Sequence, residues 1–465
     1  MNPETEPHAD QQDLGRLVSA VFTEWQRGGV DFLVLRNYEK LPAETGNDID
    51  VLVRPAQLAK AELILIQAAR GAGYQLHNRA EFSPVSLFFH QKDSLQQIQF
   101  DLFPHLKWRG FALLPVTAAL DQRIDRGLFS VPHPAHEAVT SLLTRLMYHG
   151  YVKEDYKTRI HAGFKAHPAE ATTQLAQLFG DELAAELAAA IQDENWMHVE
   201  SRCGALRRQL IWRQTTRQPL VTLGSLFSDL PRFAGRLIRP PGVTVVLAGA
   251  DGCGKSTAAE KLTDALRGTF HPNKSLRVHW KPAVFFRRRR AARLPTTDPH
   301  GRPPRGKLVS LLFLAYHWLE FLIGNWLQFR PVLFRNGLVL IDRYHYDFVV
   351  DPRRFRLASL PGLAARIFGL LPAPDLIFLL DAPPEVLQRR KTEVPLAETA
   401  RQRAAYRDYL GALPGAHIIN ADQPPETVAR ELTRLTLAAM ASRRQRRLKP
   451  GGLDVEAARG KEPSQ

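Results

Sequence analysis

Nine residues, Gly249-Ala250-Asp251-Gly252-Cys253-Gly254-Lys255-Ser256-Thr257, fit the pattern G-x-x-x-x-G-K-[ST]. A phosphate needs backbone N–H donors in a tight curve, and glycines let the main chain come that close. Lys255 then reaches the β- and γ-phosphates, and the Ser256 hydroxyl holds Mg²⁺. Gly249, Asp251, Gly252, Gly254 and Thr257 complete the expected nucleotide-binding set. The flanks suit this reading: Val243–Leu247 is an apolar run of strand type, and Ala258–Leu266 has helical character. The pattern predicts a chain that binds ATP with Mg²⁺.

A second group of residues supplies charge. Asp342 closes the apolar run Leu338–Ile341. In open α/β sheets, ligands sit at the carboxyl ends of strands, where an acid orients Mg²⁺ opposite Ser256. Arg343 follows and is placed to meet phosphate. Another apolar run, Leu376–Leu380, ends in Asp381, and Pro384–Lys391 follows as a helix ending Arg389-Arg390-Lys391. Arg389 is the expected cation over the transferring phosphoryl group. A solvated basic helix end is the alternative. Lys255, Asp342, Arg343 and Arg389 are therefore the expected catalytic residues.

The first half carries acids of its own. Asp48 and Asp50 lie two apart in Asp48–Val53, so on a strand they share a face. Asp101 lies in a second alternating run, Gln97–Phe103. If the two strands are neighbours, three carboxylates converge, and a divalent cation relieves their repulsion. Asp48, Asp50 and Asp101 are the ligands expected for a second metal site.

The elements that must position these residues follow from pattern and bulk composition. At 465 residues the chain is too long for one ordinary core. Its 45% hydrophobic and 23% charged shares are those of a globular protein. The formal net charge of +15 favours anionic partners: nucleotide phosphates, acidic headgroups or, less specifically, nucleic acid. Two cysteines exclude a disulfide framework, and a reducing, cytoplasmic setting is expected.

The polar leader 1–12 is expected to be disordered and has no signal-peptide pattern. Residues 13–200 read as an α+β domain with a hairpin over Val85–His90 and Gln96–Phe103. Residues 201–241 read as a basic, weakly patterned connector with some helix. Residues 242–443 alternate strands with helices, which predicts a five-stranded parallel sheet covered on both faces: an α/β domain. The five strands expected are Val243–Ala248, Leu276–Trp280, Leu338–Asp342, Leu376–Asp381 and His417–Asn420. Leu308–Leu327 is apolar but carries His317, Glu320 and Asn325, so a largely buried helix is expected rather than a membrane span. The tail 444–465 is expected to be disordered.

The glycine loop, Asp342-Arg343-Tyr344, and the run from Pro374-Asp375 through Asp381 to Arg389 together resemble thymidylate kinases over about Val243–Leu437. The resemblance implies a P-loop nucleoside monophosphate kinase fold, ATP·Mg²⁺ as donor, and in-line transfer to an acceptor phosphate. It also implies that Asp251 lies near the acceptor's sugar and that Asp342 and Arg343 serve the metal and phosphates. The chain departs from the family twice. Where the family carries Arg-Glu-Pro-Gly-Gly-Thr, this sequence has His279-Trp280-Lys281-Pro282-Ala283-Val284. Where it places Asp-Arg in the next helix, this sequence has Leu314-Ala315-Tyr316-His317-Trp318. The acceptor half is thus rewritten. Lys281, Arg287–Arg290, Asp347, Asp351, Arg353 and Arg354 are the residues from which a replacement could be built.

Residues 31–157 resemble the minimal nucleotidyltransferase superfamily through Asn47-Asp48-Ile49-Asp50 and the apolar strand it begins. That family's Gly-Ser is replaced by Arg36-Asn37. Either Arg36 binds phosphate or the domain binds and regulates. His149, Lys153 and Lys157 are further residues that could line its cleft.

The function expected is an ATP-dependent phosphotransferase of thymidylate kinase type, fused to a nucleotidyltransferase-like domain, acting on a nucleotide or another phosphorylated small molecule. Two alternatives remain at this stage. One is an enzyme handling sugar phosphates or nucleotide sugars for surface polysaccharide. The other is an ATP-binding regulator with little turnover. No specific nucleic-acid partner and no transmembrane segment are expected, and a homodimer is among the assemblies the sequence allows.

Overall fold

The computed structural model describes residues 6–46, 48–282, 284, 303–357, 361–391 and 395–448. The chain forms two compact units that divide between Gly235 and Arg236.

The first unit opens with a helix, Glu6–Arg27, that takes in residues 6–12 of the supposedly disordered leader. Its apolar seam of Leu14, Leu17, Val18, Val21, Phe22 and Trp25 is buried, so packing carries the helix past its polar start. The seam covers a sheet made of β1 (Phe32–Val34), β2 (Asp48–Val53), β3 (Tyr74–Glu81), β4 (Val85–Gln91) and β5 (Gln97–Phe103). The strand order is β1-β2-β5-β4-β3. Only β2 and β5 are parallel, and their register sets Asp50 directly opposite Asp101. Two short ribbons follow, β6 (Leu106–Trp108) with β7 (Phe111–Leu114), and β8 (Ile124–Asp125) with β9 (Ser130–Val131).

Helices then build a second core around Val139, Leu142, Leu146, Phe164 and Phe179. Helices Pro134–His149 and Glu154–Ala166 cross closely at Gly163, where a Cβ would sit 2.5 Å from that of Ala138. The segment read as a connector is helical over Cys203–Arg217, Pro219–Ser228 and Leu230–Ile238. The first of these helices belongs to the unit's core, because Leu206 and Leu210 are buried in it.

The second unit is a five-stranded sheet of β10 (Val243–Ala248), β11 (Leu276–His279), β12 (Leu338–Asp342), β13 (Leu376–Asp381) and β14 (Ala416–Asn420). Every pairing is parallel, in the order β11-β12-β10-β13-β14. β12 and β13 are buried throughout, which explains their unbroken apolar sequences. The chain leaves β10 toward β11 and β12 on one side and crosses to β13 on the other. The carboxyl ends of these central strands therefore frame the crevice where such sheets bind ligands.

Two expectations for this unit are corrected. The apolar helix runs from Lys307 to Gly324 and continues through a π turn to Phe334, and it is not largely buried. Its inward face carries Ser310, Leu314, His317, Glu320 and Phe321, while Leu308, Val309, Leu311 and Leu312 are exposed. Among the described residues, this helix alone is long and apolar enough to cross a membrane by length and composition. The last helix, Pro425–Leu448, extends past Arg443, where disorder was expected. Residues 449–465 lie outside the described residues, as do Arg287–Arg290.

Candidate active site

The glycine loop joins β10 to a helix that starts at Lys255. Two of its glycines are required by contact as well as by backbone. A Cβ on Gly249 (φ +140°) would lie 2.5 Å from the Leu380 carbonyl oxygen, and one on Gly252 (φ +86°) 2.8 Å from that of Leu387. The loop is thus clamped against the carboxyl end of β13 and the following helix, Pro384–Arg390. The Lys255 ammonium is buried and curls into the loop, donating to the carbonyls of Gly249 (3.0 Å) and Ala250 (2.9 Å). Among the described residues no carboxylate forms an ion pair with it. Ser256 and Thr257 are exposed in the first turn of the helix, whose positive dipole end faces the loop.

Asp342 ends β12 beside Leu247 of β10 and His279 of β11. It is buried, and His279 Nδ1 lies 3.3 Å from its Oδ2. Its Oδ1 is buried with no hydrogen-bond partner. Burial pushes the carboxyl upward, but His279, Lys255 and Arg277 outweigh it and the group stays an anion of lowered pKa. One unpartnered oxygen of an ionised carboxylate suits a divalent cation.

Arg343 takes a left-handed backbone (φ +65°) and donates its amide to Leu247 O at 3.0 Å. Its guanidinium pairs with Asp251 of the glycine loop, and Arg354 approaches the other Asp251 oxygen at 3.5 Å. Asp347 stands 3.9 Å from Arg343 and accepts the buried Tyr406 hydroxyl at 2.7 Å. Arg343 is therefore held from both ends. Asp351 is buried beside Gln402 (3.2 Å) and Arg401 (3.5 Å), and Arg353 is exposed.

Arg389 is exposed and makes no ion pair among the described residues. It is the neighbouring Lys391 whose Cβ lies 3.3 Å from a Cβ built on Gly252. Sequence reasoning also passed over Arg403 and Arg407, which lie four apart on the helix Leu396–Gly411. Arg403 grips both oxygens of Asp381 (2.6 and 2.9 Å), and Arg407 adds a third contact at 2.7 Å. The signal available was their i, i+4 spacing, which puts two cations on one helix face.

A pH dependence follows for Asp381. Burial raises its pKa, but the two arginines outweigh burial and hold it below the ordinary value. A depressed folded pKa contributes stability that is complete above the unfolded value of about 4 and drains away as pH falls through the folded value. Asp381→Asn should therefore lower the melting temperature at neutral pH. The gap to wild type should close in acid below about pH 4, read by thermal melts across that range.

On the rewritten acceptor side, Trp280 stacks on Phe355 with centroids 5.6 Å apart. Lys281 forms a salt bridge with Glu320, which is fully buried, and lies over the Trp280 and Tyr316 rings at 5.5 and 5.3 Å. His317 Nδ1 is 3.6 Å from the same Glu320 oxygen. Trp280 Nε1, Glu320 Oε1 and Trp318 Nε1 are buried without hydrogen-bond partners.

In the first unit the three acids do converge: one ligand oxygen from each of Asp48, Asp50 and Asp101 lies within 4.8 Å of the others. Arg36 pairs with Asp50 Oδ2, while Asp50 Oδ1 is buried and unpartnered. Burial and the neighbouring carboxylates push Asp101 up to about 6, against the opposing bonds of Ser86 and Gln99. Arg145, stacked on Tyr156 at 3.8 Å, also acts on Asp50 and was missed in the sequence. Lys157 is instead tied to Glu154 at 2.9 Å, and His149 and Lys153 are exposed.

No family model matches the chain. A thymidylate kinase from Xanthomonas campestris is 27% identical over 217 residues, covering 44% of this chain and 88% of its own length. A thymidylate kinase from Xylella fastidiosa is 30% identical over 202 residues, covering 41% of this chain and 85% of its own. The chain belongs to the thymidylate kinase family. A crystal structure of thymidylate kinase from Ehrlichia chaffeensis aligns over 42% of this chain and 99% of its own, with 15% identity and a TM-score of 0.30. Family membership thus accounts for less than half of the chain and supports a nucleoside monophosphate kinase-like function for that part. The parallel five-stranded sheet with its glycine loop is consistent with a P-loop kinase fold.

Proposed function

We propose that this member of the thymidylate kinase family transfers the γ-phosphoryl group of ATP·Mg²⁺ to the phosphate of a small-molecule acceptor. The observation that carries the reading is the glycine loop at the end of β10, with Lys255 buried in its curve, beside the neighbouring strand that ends in the ionised carboxylate Asp342. Backbone N–H groups of the loop and the helix start would hold the β- and γ-phosphates. Ser256 and Asp342 would hold Mg²⁺, which supplies charge neutralisation on the triphosphate. Positioning and charge neutralisation are enough for such a transfer, and no covalent enzyme intermediate is needed. Arg343, fixed by Asp251 and Asp347, would meet the phosphoryl oxygens. Arg389 remains the cation proposed over the transferring phosphoryl group, and Lys391, whose Cβ lies beside Gly252, is a second candidate.

The acceptor edge is built from Asp251, Arg354 and the Trp280–Lys281–Glu320 group. Buried, unpaired donors and an acceptor there favour a polar, hydroxyl-bearing acceptor. Thymidylate is one acceptor to test and sugar phosphates are another.

For the first unit we propose a divalent-cation site at Asp48, Asp50 and Asp101, in a nucleotidyltransferase-like domain. The free Asp50 oxygen fits an ion, and Arg36 has already neutralised the other.

One experiment addresses both units. Purified protein with Mg·ATP is offered thymidylate, other nucleoside monophosphates, sugar phosphates or water, and ADP release is scored. The kinase reading requires acceptor-dependent turnover; hydrolysis that ignores every acceptor would favour a regulator. Asp50→Asn should leave that turnover unchanged and remove the thermal stabilisation by Mn²⁺. A Mn²⁺ shift that survives the substitution would refute the second site.

A further inference from the structure

We infer that the helix Pro219–Ser228 and the start of the next, residues 230–235, form a docking surface for an anionic lipid bilayer, independently of the kinase reading. The first helix is packed inside out. Its polar face is turned to the protein: Thr222 is buried and donates to Gln214 O at 3.1 Å, and Ser225 bonds Lys107 (3.0 Å) and Gly110 O (2.7 Å). Its apolar face points outward, with Leu220 82%, Leu223 50% and Phe227 62% exposed. The start of the next helix adds Leu230 at 55% and Phe233 at 52%. Within each helix the steps of three and four residues keep these side chains on one face. A helix that hydrogen-bonds its hydroxyls inward and offers Leu and Phe outward gains nothing from water on that face.

Charge decides what covers the stripe. From Cys203 to Gly235 the chain holds five arginines and a single acid, Asp229. Arg208 and Arg217 are exposed, and Trp212 is 61% exposed on the adjoining helix. Arginine beside an apolar row with Trp and Phe is the composition of helices that lie in a bilayer interface. A second copy of this chain would bring like charges together along the seam. Nucleic acid would satisfy the arginines but leave the apolar row uncovered.

The test is co-sedimentation of the full chain with vesicles of phosphatidylcholine mixed with phosphatidylglycerol, against phosphatidylcholine alone. Wild type should bind the anionic vesicles and should be released by high salt. Phe227→Ser/Phe233→Ser should weaken this binding by about 10-fold or more, since two large apolar side chains leave the interface. Its melting temperature should fall only slightly, because both rings are more than half exposed. Arg217→Glu should weaken binding as well. Three results would overturn the proposal: equal binding to the neutral vesicles, undiminished binding by the double Phe variant, or a wild-type dimer in light scattering that the same variant dissociates.

Discussion

Lys255→Ala should reduce acceptor-dependent ADP release by on the order of 10²–10³-fold, with the protein still folded. Lys255 is the one buried cation in the curve of the loop, and its amine touches the carbonyls of Gly249 and Ala250. Those two bonds come from a charged donor and are worth about 1.5–3 kcal/mol each in net stability. Their loss should show as a drop in melting temperature. The charge itself is another matter. Charge developing on the transferring oxygens has to be met inside a cleft of reduced dielectric, where a fixed cation counts for far more than in water. The loss should fall on kcat as much as on kcat/KM, because the interaction strengthens toward the transition state. Lys255→Arg should not restore the rate, since a planar guanidinium cannot occupy the space of an ammonium packed against two carbonyls. Activity within 10-fold of wild type in the Ala variant would remove the site from the second unit's glycine loop.

What could be read from the sequence, and what could not, divides along one physical line. The strands β10, β12 and β13 are buried on both faces, so their unbroken apolar runs marked them and placed Asp342 and Asp381 at their ends. The Asp48/Asp50/Asp101 convergence was legible as a condition, because alternation fixes which side chains share a face. It still needed β2 and β5 to be neighbours, which the register Asp50↔Asp101 supplies. β3 was missed because its sequence, Tyr-Gln-Leu-His-Asn-Arg-Ala-Glu, has too many polar residues to stand out. Its Arg79 is instead satisfied by Glu62 from a helix seventeen residues earlier (2.8 and 2.9 Å). Pairings across long separations were invisible for the same reason: nothing local in Asp251 announces Arg343, 92 residues on. The apolar helix Lys307–Gly324 misled pattern reading most. Apolar content normally reports burial, yet in Lys307–Gly324 the face that turns inward carries His317 and Glu320.

That inward face carries the largest expected effect on stability. Lys281→Met should destabilise the protein by about 3–5 kcal/mol, measured by chemical denaturation, because it strands a buried charge. Glu320 is fully inaccessible and Lys281 is its salt-bridge partner. His317 cannot take over at neutral pH: burial, with Lys281 and Arg305 nearby, pushes it down to about 3. The pair need not be worth that much in itself, since two well-packed neutral groups can serve as well as a buried ion pair. The double variant Lys281→Met/Glu320→Gln should therefore recover most of the loss, with a coupling energy of roughly 2 kcal/mol or more between the two positions. Removing Lys281 also removes one of the two charges that hold His317 neutral. In the single variant, His317 should then take up a proton more readily and pair with Glu320, 3.6 Å away. The deficit should accordingly shrink at mildly acid pH in Lys281→Met but not in the double variant. A deficit of equal size in both variants would mean that lost packing, and not an uncompensated carboxylate, sets the cost.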